Sequence, residues 1–329
     1  MTLRTKQITH WVSNKLGISD FSIKPASSDA SFRRYFRITF DGKSFIVMDA
    51  PPEKEDSRPF VEVGKLLLDV GLNVPEILEQ DLEQGFLLLS DLGDRQYLPE
   101  LTSDSVLDLY RDALSALHRM QSGVQISHCN LPQYDENLLW NEMQLFREWY
   151  LTRHLQIELN SGHHALLDDM FALLIQSALE QPVVCVHRDY HSRNLMITQN
   201  NNPGILDFQD AVIGPITYDL VSLLRDCYVA WPREQVETWV RQYCDDISSG
   251  KMGLDIEPRK FLSFFELMGV QRHLKAIVIF ARLNIRDDKP GYLKDIPRTL
   301  NYILDVSQRT PELEPLNTFL LKEVQPRLS

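Results

Sequence analysis

The sequence His187-Arg188-Asp189-Tyr190-His191-Ser192-Arg193-Asn194 follows a short apolar run and places an aspartate five residues before an asparagine. A second aspartate, Asp207, comes thirteen residues after Asn194, again behind a short apolar run. Apolar runs of this length that end in polar clusters indicate buried strands. The spacing therefore predicts that Asp189, Asn194 and Asp207 lie on loops that leave buried strands.

These three side chains carry the functional groups that phosphoryl transfer from ATP requires. The reaction needs an acceptor hydroxyl held in position and a phosphate charge neutralised, and it needs little covalent work from the protein. A carboxylate beside the acceptor oxygen orients it and accepts its proton, and carboxylate and amide oxygens are ligands that Mg²⁺ prefers. We therefore expect Asp189 to act on the hydroxyl, and Asn194 and Asp207 to hold Mg²⁺.

The pattern HxDxxxxN followed by an aspartate on a strand resembles the aminoglycoside phosphotransferase and choline kinase family, a branch of the eukaryotic-like kinase superfamily. The segments Asp207-Phe208-Gln209-Asp210 and Tyr218-Asp219-Leu220 also resemble this family. The resemblance implies ATP and Mg²⁺ as cofactors, and supporting roles near the catalytic loop for Asp210 and Asp219. We interpret His187 as structural, because Asp189 already fills the place of the base.

Periodicities along the chain agree with the fold that the resemblance implies. Helical spacing of apolar residues predicts helices at 3–16 and 57–71, and the turn dipeptide Asp41-Gly42 predicts a hairpin of strands 34–40 and 44–48. Two more strands are expected at 76–80 and 86–89, and long helical periodicities begin at residue 103. The predicted class is α+β, a bilobal protein-kinase-like fold. Its small N-terminal antiparallel-sheet lobe, residues 1–93, binds nucleotide, and its larger, mainly helical C-terminal lobe, residues 94–329, carries the catalytic loop and the acceptor site.

The predicted nucleotide site departs from the family in two ways. The segment 25–36, which should cover the phosphates, contains no glycine, so we expect the backbone of Ser28, Ala30 and Ser31 to contact phosphate. Met48 stands where the family has a phosphate-binding lysine or arginine. In the family that basic residue forms an ion pair with a glutamate of the following helix, for which Glu62 is the candidate here, and a methionine cannot form this pair.

A replacement for that missing positive charge is expected from the neighbouring segment. Arg33 or Arg34 could supply it, although an exposed hairpin edge explains this arginine pair equally well. Adenine is expected to contact backbone groups where the two lobes join, at Ser90 and Leu92.

Four stretches narrow the resemblance: 29–37, 48–52, 141–150 and 281–286. They are similar to a bacterial group of anomeric sugar kinases in cell-wall recycling, which implies N-acetylmuramate and N-acetylglucosamine as acceptors. Residues 271–298 carry seven basic and three acidic side chains, and Arg272, Lys275, Arg282 and Arg286 share one helix face. We expect Arg282 and Arg286 to bind the lactyl carboxylate of N-acetylmuramate. The alternative is a solvated helix face.

Composition excludes several other classes of function. The net charge of −12 leaves no basic excess for binding nucleic acid or a membrane surface. Apolar runs are too short to span a bilayer, and the N-terminus lacks the apolar region of a signal peptide. The four cysteines show no paired spacing, as is typical of reduced thiols. We therefore expect a cytoplasmic protein, and no feature of the sequence indicates an obligate protein partner.

The rival functions lie mostly within the same family. An aminoglycoside, choline or homoserine kinase would prefer an acidic acceptor pocket, which the acidic second part of the chain permits and its basic helix face disfavours. A protein kinase is disfavoured because too few residues separate Asp207 from the helix near Thr217 to form a peptide-docking segment. A catalytically inactive binding module is suggested by Met48 and opposed by the presence of all three catalytic side chains.

Overall fold

The computed structural model describes residues 3–28, 32–250 and 252–328. The chain divides into two compact units: Met1–Met120 with Arg193–Asp210, and Gln121–Ser192 with Ala211–Ser329. The first unit thus contains the predicted nucleotide lobe together with two later segments, 94–120 and 193–210. The lobe boundary after residue 93 stays a prediction.

A five-stranded antiparallel sheet forms the centre of the first unit, in the order β1-β2-β3-β5-β4. Asp41 and Gly42 both have positive φ, 47° and 72°, and form the predicted tight turn between β2 and β3. The strands are β1 (Ser22–Ser28), β2 (Arg34–Phe40), β3 (Lys43–Asp49), β4 (Ile77–Asp81) and β5 (Phe86–Ser90).

Strand β1 corrects part of the predicted phosphate loop. Residues from Pro25 to Ser28 pair with β2, with an irregular register between Pro25 and Ser27. A proline is tolerated there because β1 is an edge strand, whose outer backbone groups need no partner. The sequence predicts a loop for this stretch because proline and serine are typical of turns.

Four helices of the described residues complete the N-terminal part of the first unit; those predicted at 3–16, at 57–71 and from residue 103 are confirmed. In α1 the apolar positions Ile8, Trp11 and Val12 are buried against the sheet, where Trp11 contacts Phe86 with ring centroids 5.6 Å apart. The helices are α1 (Leu3–Leu16), α2 (Arg58–Asp69), α3 (Tyr97–Glu100) and α4 (Val106–Gly123), the last of which ends in the second unit.

A short hairpin, β7 (Leu195–Met196) and β8 (Gly204–Ile205), also belongs to the first unit. Gly204 packs so closely that an added Cβ would lie 2.9 Å from the Leu92 side chain. The hairpin carries Asn194 at its start and Asp207 just after its end, so two chain-distant polar residues lie side by side.

The second unit is mainly helical. Strands β6 (Val183–Val186) and β9 (Val212–Pro215) form a two-stranded antiparallel sheet. In the chain, β6 comes before the segment 193–210 of the first unit and β9 comes after it. A π-helical segment, Phe146–His154, continues α5. The helices are α5 (Glu136–Leu145), α6 (Ser161–Leu179), α7 (Tyr218–Leu224), α8 (Arg233–Ser249), α9 (Pro258–Asp287), α10 (Ile296–Ser307) and α11 (Glu314–Phe319), with 3₁₀ turns at Ile126–His128, Pro290–Asp295, Pro311–Leu313 and Gln325–Arg327 and a π-helical turn at Leu320–Val324.

The predicted α+β class, with an N-terminal antiparallel sheet followed by a mainly helical part, is confirmed. Of the helices in the described part of the chain, none is both long and apolar enough to cross a membrane.

Candidate active site

Asp189 lies in the second unit, on the loop that follows β6. His187 is buried at the end of that strand, and its Nδ1 accepts the backbone N–H of Asp189 at 3.2 Å. The His187 ring also meets the buried ring of Tyr190 edge-on, with centroids 5.7 Å apart. These two contacts hold the His187 ring against its own loop, and its structural role stays a prediction.

The start of this loop is held by Asp219, from the first turn of α7. Its buried carboxylate accepts the backbone N–H of His187 at 2.6 Å and that of Arg188 at 2.9 Å. Arg188 has a left-handed backbone, φ 76°, which a non-glycine residue adopts only when its surroundings stabilise it. Burial raises the pKa of Asp219 to about 7, although the two N–H donors oppose the rise.

The far end of the loop is held by Asp226, which sequence reasoning missed. Its carboxylate accepts both the backbone N–H of Ser192, at 2.9 Å, and the Ser192 hydroxyl, at 2.5 Å. Both residues are buried. No motif marks Asp226, because its role depends on a residue 34 positions earlier in the chain.

The charge state of Asp189 is set by its neighbours. Burial by itself would raise the pKa of Asp189, but the charges of His191, Lys275 and Arg272 outweigh burial and lower this pKa below its usual value. The side chain is therefore a carboxylate at neutral pH, the form that accepts a proton or a hydroxyl hydrogen bond.

Asn194 and Asp207 lie together in the first unit. The Asn194 amide nitrogen is 3.5 Å from an Asp207 carboxylate oxygen, and the Leu206 backbone N–H donates to the Asn194 carbonyl at 2.9 Å. Asp207 has a left-handed backbone, φ 64°, and also accepts a hydrogen bond from the Gln209 amide at 2.8 Å. A half-turn of the Asn194 amide exchanges its nitrogen for its oxygen at the same place.

This pair fits a hard divalent cation. A carboxylate and an amide oxygen are suitable donors for Mg²⁺, which normally keeps several water or phosphate oxygens and needs only one or two protein ligands. The described residues include no group of three or more His, Cys, Asp or Glu side chains that could hold a metal ion by themselves.

The two arginines proposed to replace the family's lysine have different environments. The Arg33 guanidinium is 3.8 Å from the Asp207 carboxylate, and its side chain is 11% exposed. Arg34 instead binds Asp49, a fully buried carboxylate directly opposite it in the β2–β3 register. Met48, in the lysine position, is fully buried.

Of the described residues, the others predicted to contact the nucleotide have no contact that distinguishes a nucleotide site. The Ser90 backbone N–H donates to the Glu76 carbonyl at 2.9 Å, and Leu92 packs against β8. Ala30, Ser31 and the side chain of Ser28 lie outside the described residues. Glu62 and Asp210 are exposed; Asp210 lies 3.4 Å from the Gln209 amide.

The four basic residues predicted to share one face of α9 do share it, but they differ in burial and in their partners. Arg272 is buried beside the Cys227 sulfur at 3.9 Å, and Lys275 is largely buried between Glu142 and Tyr218. This face is therefore not simply a solvated one.

The other two cations of that face, Arg282 and Arg286, lie nearer the end of α9. The guanidinium of Arg282 packs over the Trp149 ring, 5.4 Å from its centroid. Arg286 is 54% exposed and forms an ion pair with its neighbour Asp287 at 2.7 Å.

Comparison with known proteins identifies the family. The model of the phosphotransferase enzyme family that includes the aminoglycoside phosphotransferases matches residues 22–252, which is more than half of the chain. The chain belongs to this family. The phosphotransferase is 50% identical to a protein of Pseudomonas aeruginosa over 90% of this chain and 87% of that one. It is also 45% identical to a protein of Pseudomonas putida, over 98% and 97% of the two chains. Both relatives are named N-acetylmuramate/N-acetylglucosamine kinase.

Solved structures show the same fold at low sequence identity. A choline kinase from Streptococcus pneumoniae has a TM-score of 0.65 at 12% identity and covers 92% of this phosphotransferase and all of its own chain. An ADP-bound aminoglycoside phosphotransferase has a TM-score of 0.61 at 16% identity, covering 90% and 97% of the two chains. The predicted kinase-like fold and the predicted family are thereby confirmed.

Proposed function

We propose that this phosphotransferase transfers the γ-phosphoryl group of ATP, in the presence of Mg²⁺, to the anomeric hydroxyl of N-acetylmuramate or N-acetylglucosamine. The observation that carries the proposal is the 45% identity, over nearly the whole of both chains, to a relative named for these two sugars. The catalytic loop supports it, because Asp189 is ionised and the loop is held at both ends.

In this proposal Asp189 receives the acceptor hydroxyl. An anomeric hydroxyl is more acidic than an ordinary alcohol, so the demand on Asp189 as a base is modest. Its main contribution is to orient the oxygen toward the phosphoryl group, and orientation accounts for a large share of the rate in such transfers. The lowered pKa of Asp189 suits this role, because a carboxylate accepts the hydroxyl hydrogen bond across the neutral range.

The nucleotide is assigned to the first unit. Asn194 and Asp207 would hold Mg²⁺, which when bound neutralises the charge of the transferring phosphates. We assign the missing positive charge to Arg33 rather than Arg34, because Arg33 lies beside Asp207 whereas Arg34 is committed to buried Asp49.

The remaining contacts to the nucleotide are assigned to backbone groups. Those of Ser28, Ala30 and Ser31 are proposed for phosphate. Those near Ser90 and Leu92 are proposed for adenine, through groups other than the Ser90 N–H, which already donates to Glu76.

For the acceptor carboxylate we assign Arg282 rather than Arg286. Among the described residues, Arg282 forms no ion pair, and its Nε is buried without a hydrogen-bond partner. Arg286 already has a carboxylate partner in Asp287. A guanidinium held on an aromatic ring without a carboxylate partner is suited to bind an anionic ligand.

The experiment that tests this proposal is an ADP-release assay with a panel of acceptors. N-acetylmuramate, N-acetylglucosamine, choline, homoserine and kanamycin are compared with and without Mg²⁺, and ³¹P NMR identifies the phosphorylated position. We expect turnover with the two sugars, an anomeric phosphate as product, and no turnover for Asp189→Ala, which removes both the base and the hydrogen-bond acceptor. Turnover confined to choline, homoserine or kanamycin would establish a rival kinase, and ATP binding without any turnover would favour the inactive binding module.

A further inference from the structure

Glu142, on α5, has a carboxylate that is shared by side chains from three other parts of the second unit. It accepts from the Arg188 guanidinium of the catalytic loop, from the Lys275 ammonium of α9 at 3.0 Å, and from the Tyr134 hydroxyl. The Glu142 side chain is only 11% exposed. One buried anion therefore joins the residue that precedes Asp189 to two helices and the segment before α5.

The residues around Glu142 are themselves linked by hydrogen bonds and a ring contact. Lys275 donates a second hydrogen bond to the Tyr218 hydroxyl at 3.1 Å, and Gln271 donates to the Tyr134 hydroxyl at 3.1 Å. The rings of Tyr134 and Tyr218 meet edge-on, with centroids 5.4 Å apart. Glu142 and its two cations therefore belong to one connected network of hydrogen bonds and ion pairs.

Arg188 is anchored from both of its ends. Its backbone N–H donates to Asp219 and its side chain binds Glu142, while its φ of 76° is one that an arginine rarely adopts. Since the next peptide group leads to Asp189, the two anchors determine the direction in which the Asp189 side chain leaves the loop. A residue that holds Arg188 thus acts on Asp189 without contacting the substrate.

Resting on the proposed kinase function, we propose that Glu142 is a positioning residue for phosphoryl transfer, fixing Arg188 and Lys275 so that the catalytic carboxylate of Asp189 is held in its reactive orientation. Lys275 contributes by its charge, which is among those that keep Asp189 ionised. A purely structural Glu142 would instead affect stability and leave the folded enzyme's turnover unchanged.

The test compares Glu142→Gln with wild type. Glutamine keeps the size and one oxygen acceptor and removes the charge that holds both cations. A displacement of about 1 Å of a reacting group can lower turnover on the order of 100-fold, so we expect kcat to fall by about 10- to 100-fold, with the KM values for ATP and sugar changed less than about threefold. Glu136→Gln, an exposed residue on the same helix, is the matched control and should retain wild-type kcat.

Two further measurements separate positioning from simple destabilisation. If Glu142 acts in part through Arg188, Glu142→Gln should lower kcat less in the Arg188→Gln background than in wild type, because part of the interaction that it removes is already lost. If Glu142→Gln does not fold, Glu142→Asp replaces it, because aspartate keeps the negative charge but is one methylene too short to hold both cations in the same positions.

Crystal structures of wild type and of Glu142→Gln test the role of Glu142 independently of the acceptor that the enzyme uses. In the variant we expect the Arg188 backbone to leave its left-handed conformation and the Asp189 carboxylate to move, whichever acceptor the enzyme uses. An unmoved loop, or a kcat within about twofold of wild type in the folded variant, would overturn the inference. A wild type inactive on both sugars would overturn the proposed function alone.

Discussion

Replacing Arg282 by methionine should change which sugar the enzyme prefers. Methionine keeps an unbranched apolar side chain that can still pack on Trp149, and it removes the guanidinium. N-acetylmuramate differs from N-acetylglucosamine by a lactyl group that carries a carboxylate. If Arg282 binds this carboxylate, the variant loses a contact that exists for only one of the two sugars.

The environment of Arg282 sets the size of the effect. Its Nε is buried and no carboxylate of the described residues forms an ion pair with it, so binding the ligand breaks no internal salt bridge. A charge-assisted hydrogen bond under such conditions contributes about 1.5–3 kcal/mol. We therefore expect kcat/KM for N-acetylmuramate to fall roughly 10- to 100-fold, at about 1.4 kcal/mol per tenfold change, while that for N-acetylglucosamine stays within about twofold.

The quantity to measure is the ratio of kcat/KM for the two sugars, by coupled ADP release at saturating ATP. A loss of folding or of ATP binding lowers both values and leaves the ratio unchanged. Arg286→Met is the matched control, because Arg286 is exposed and already paired with Asp287, and its ratio should remain that of wild type. An equal fall for both sugars in Arg282→Met, or a changed ratio only in Arg286→Met, would refute the assignment.

Three further predictions concern other parts of the site and the fold. Asp207→Ala and Asn194→Ala should each lower Mg²⁺-dependent turnover by at least about 100-fold while circular dichroism stays unchanged, because both side chains lie on partly exposed loops. Arg33→Met should raise the KM for ATP and lower kcat, together by about tenfold or more, whereas Arg34→Met should lower the free energy of unfolding, because it removes one partner of buried Asp49. Burial lowers the pKa of His273 to about 3, so its folded form excludes a proton that the unfolded chain accepts near pH 6.5. The stability that neutral His273 contributes is therefore complete above about pH 6.5 and is lost as pH falls toward 3, by up to about 1.4 kcal/mol per pH unit, measured by urea unfolding.

Each of these predictions has an outcome that would contradict it. Normal turnover in either metal-ligand variant would remove that ligand from the site. Equal kinetic effects of Arg33→Met and Arg34→Met would mean that the phosphate charge is not specific to Arg33. For the pH effect, His273→Phe should unfold with a shallower acid dependence than wild type, and identical slopes would contradict the stated cause.

Local patterns in the sequence were sufficient for most of the fold. The helix at 3–16 and the hairpin around Asp41-Gly42 follow from interactions between residues close in the chain, and the short strands before Asp189 and Asp207 follow from local apolar runs. A two-residue turn at Asp41-Gly42 places Arg34 opposite Asp49, so the pairing that separates Arg34 from Arg33 could have been predicted from the turn.

Strand β1 and the hydrogen bonds of Asp226 to the catalytic loop could not be predicted in the same way. Pro25 is compatible with a strand only because β1 lies at the sheet edge, and edge position is a property of the assembled sheet. Asp226 has no distinguishing neighbours in sequence, and its role comes from the loop residue Ser192 that it holds.

The sequence by itself determined the family, the catalytic motif and the face of α9 on which its cations lie, because these depend on spacing along the chain and on helical period. Only the tertiary structure decided how the charges of the catalytic loop and of α9 are paired, as with Arg188 and Lys275 at Glu142. The physical reason is that a helical period assigns a side chain to a face but does not say what lies across from it. The strength of an ion pair depends on the distance and burial of its two groups, and the fold brings together groups that are far apart in the chain.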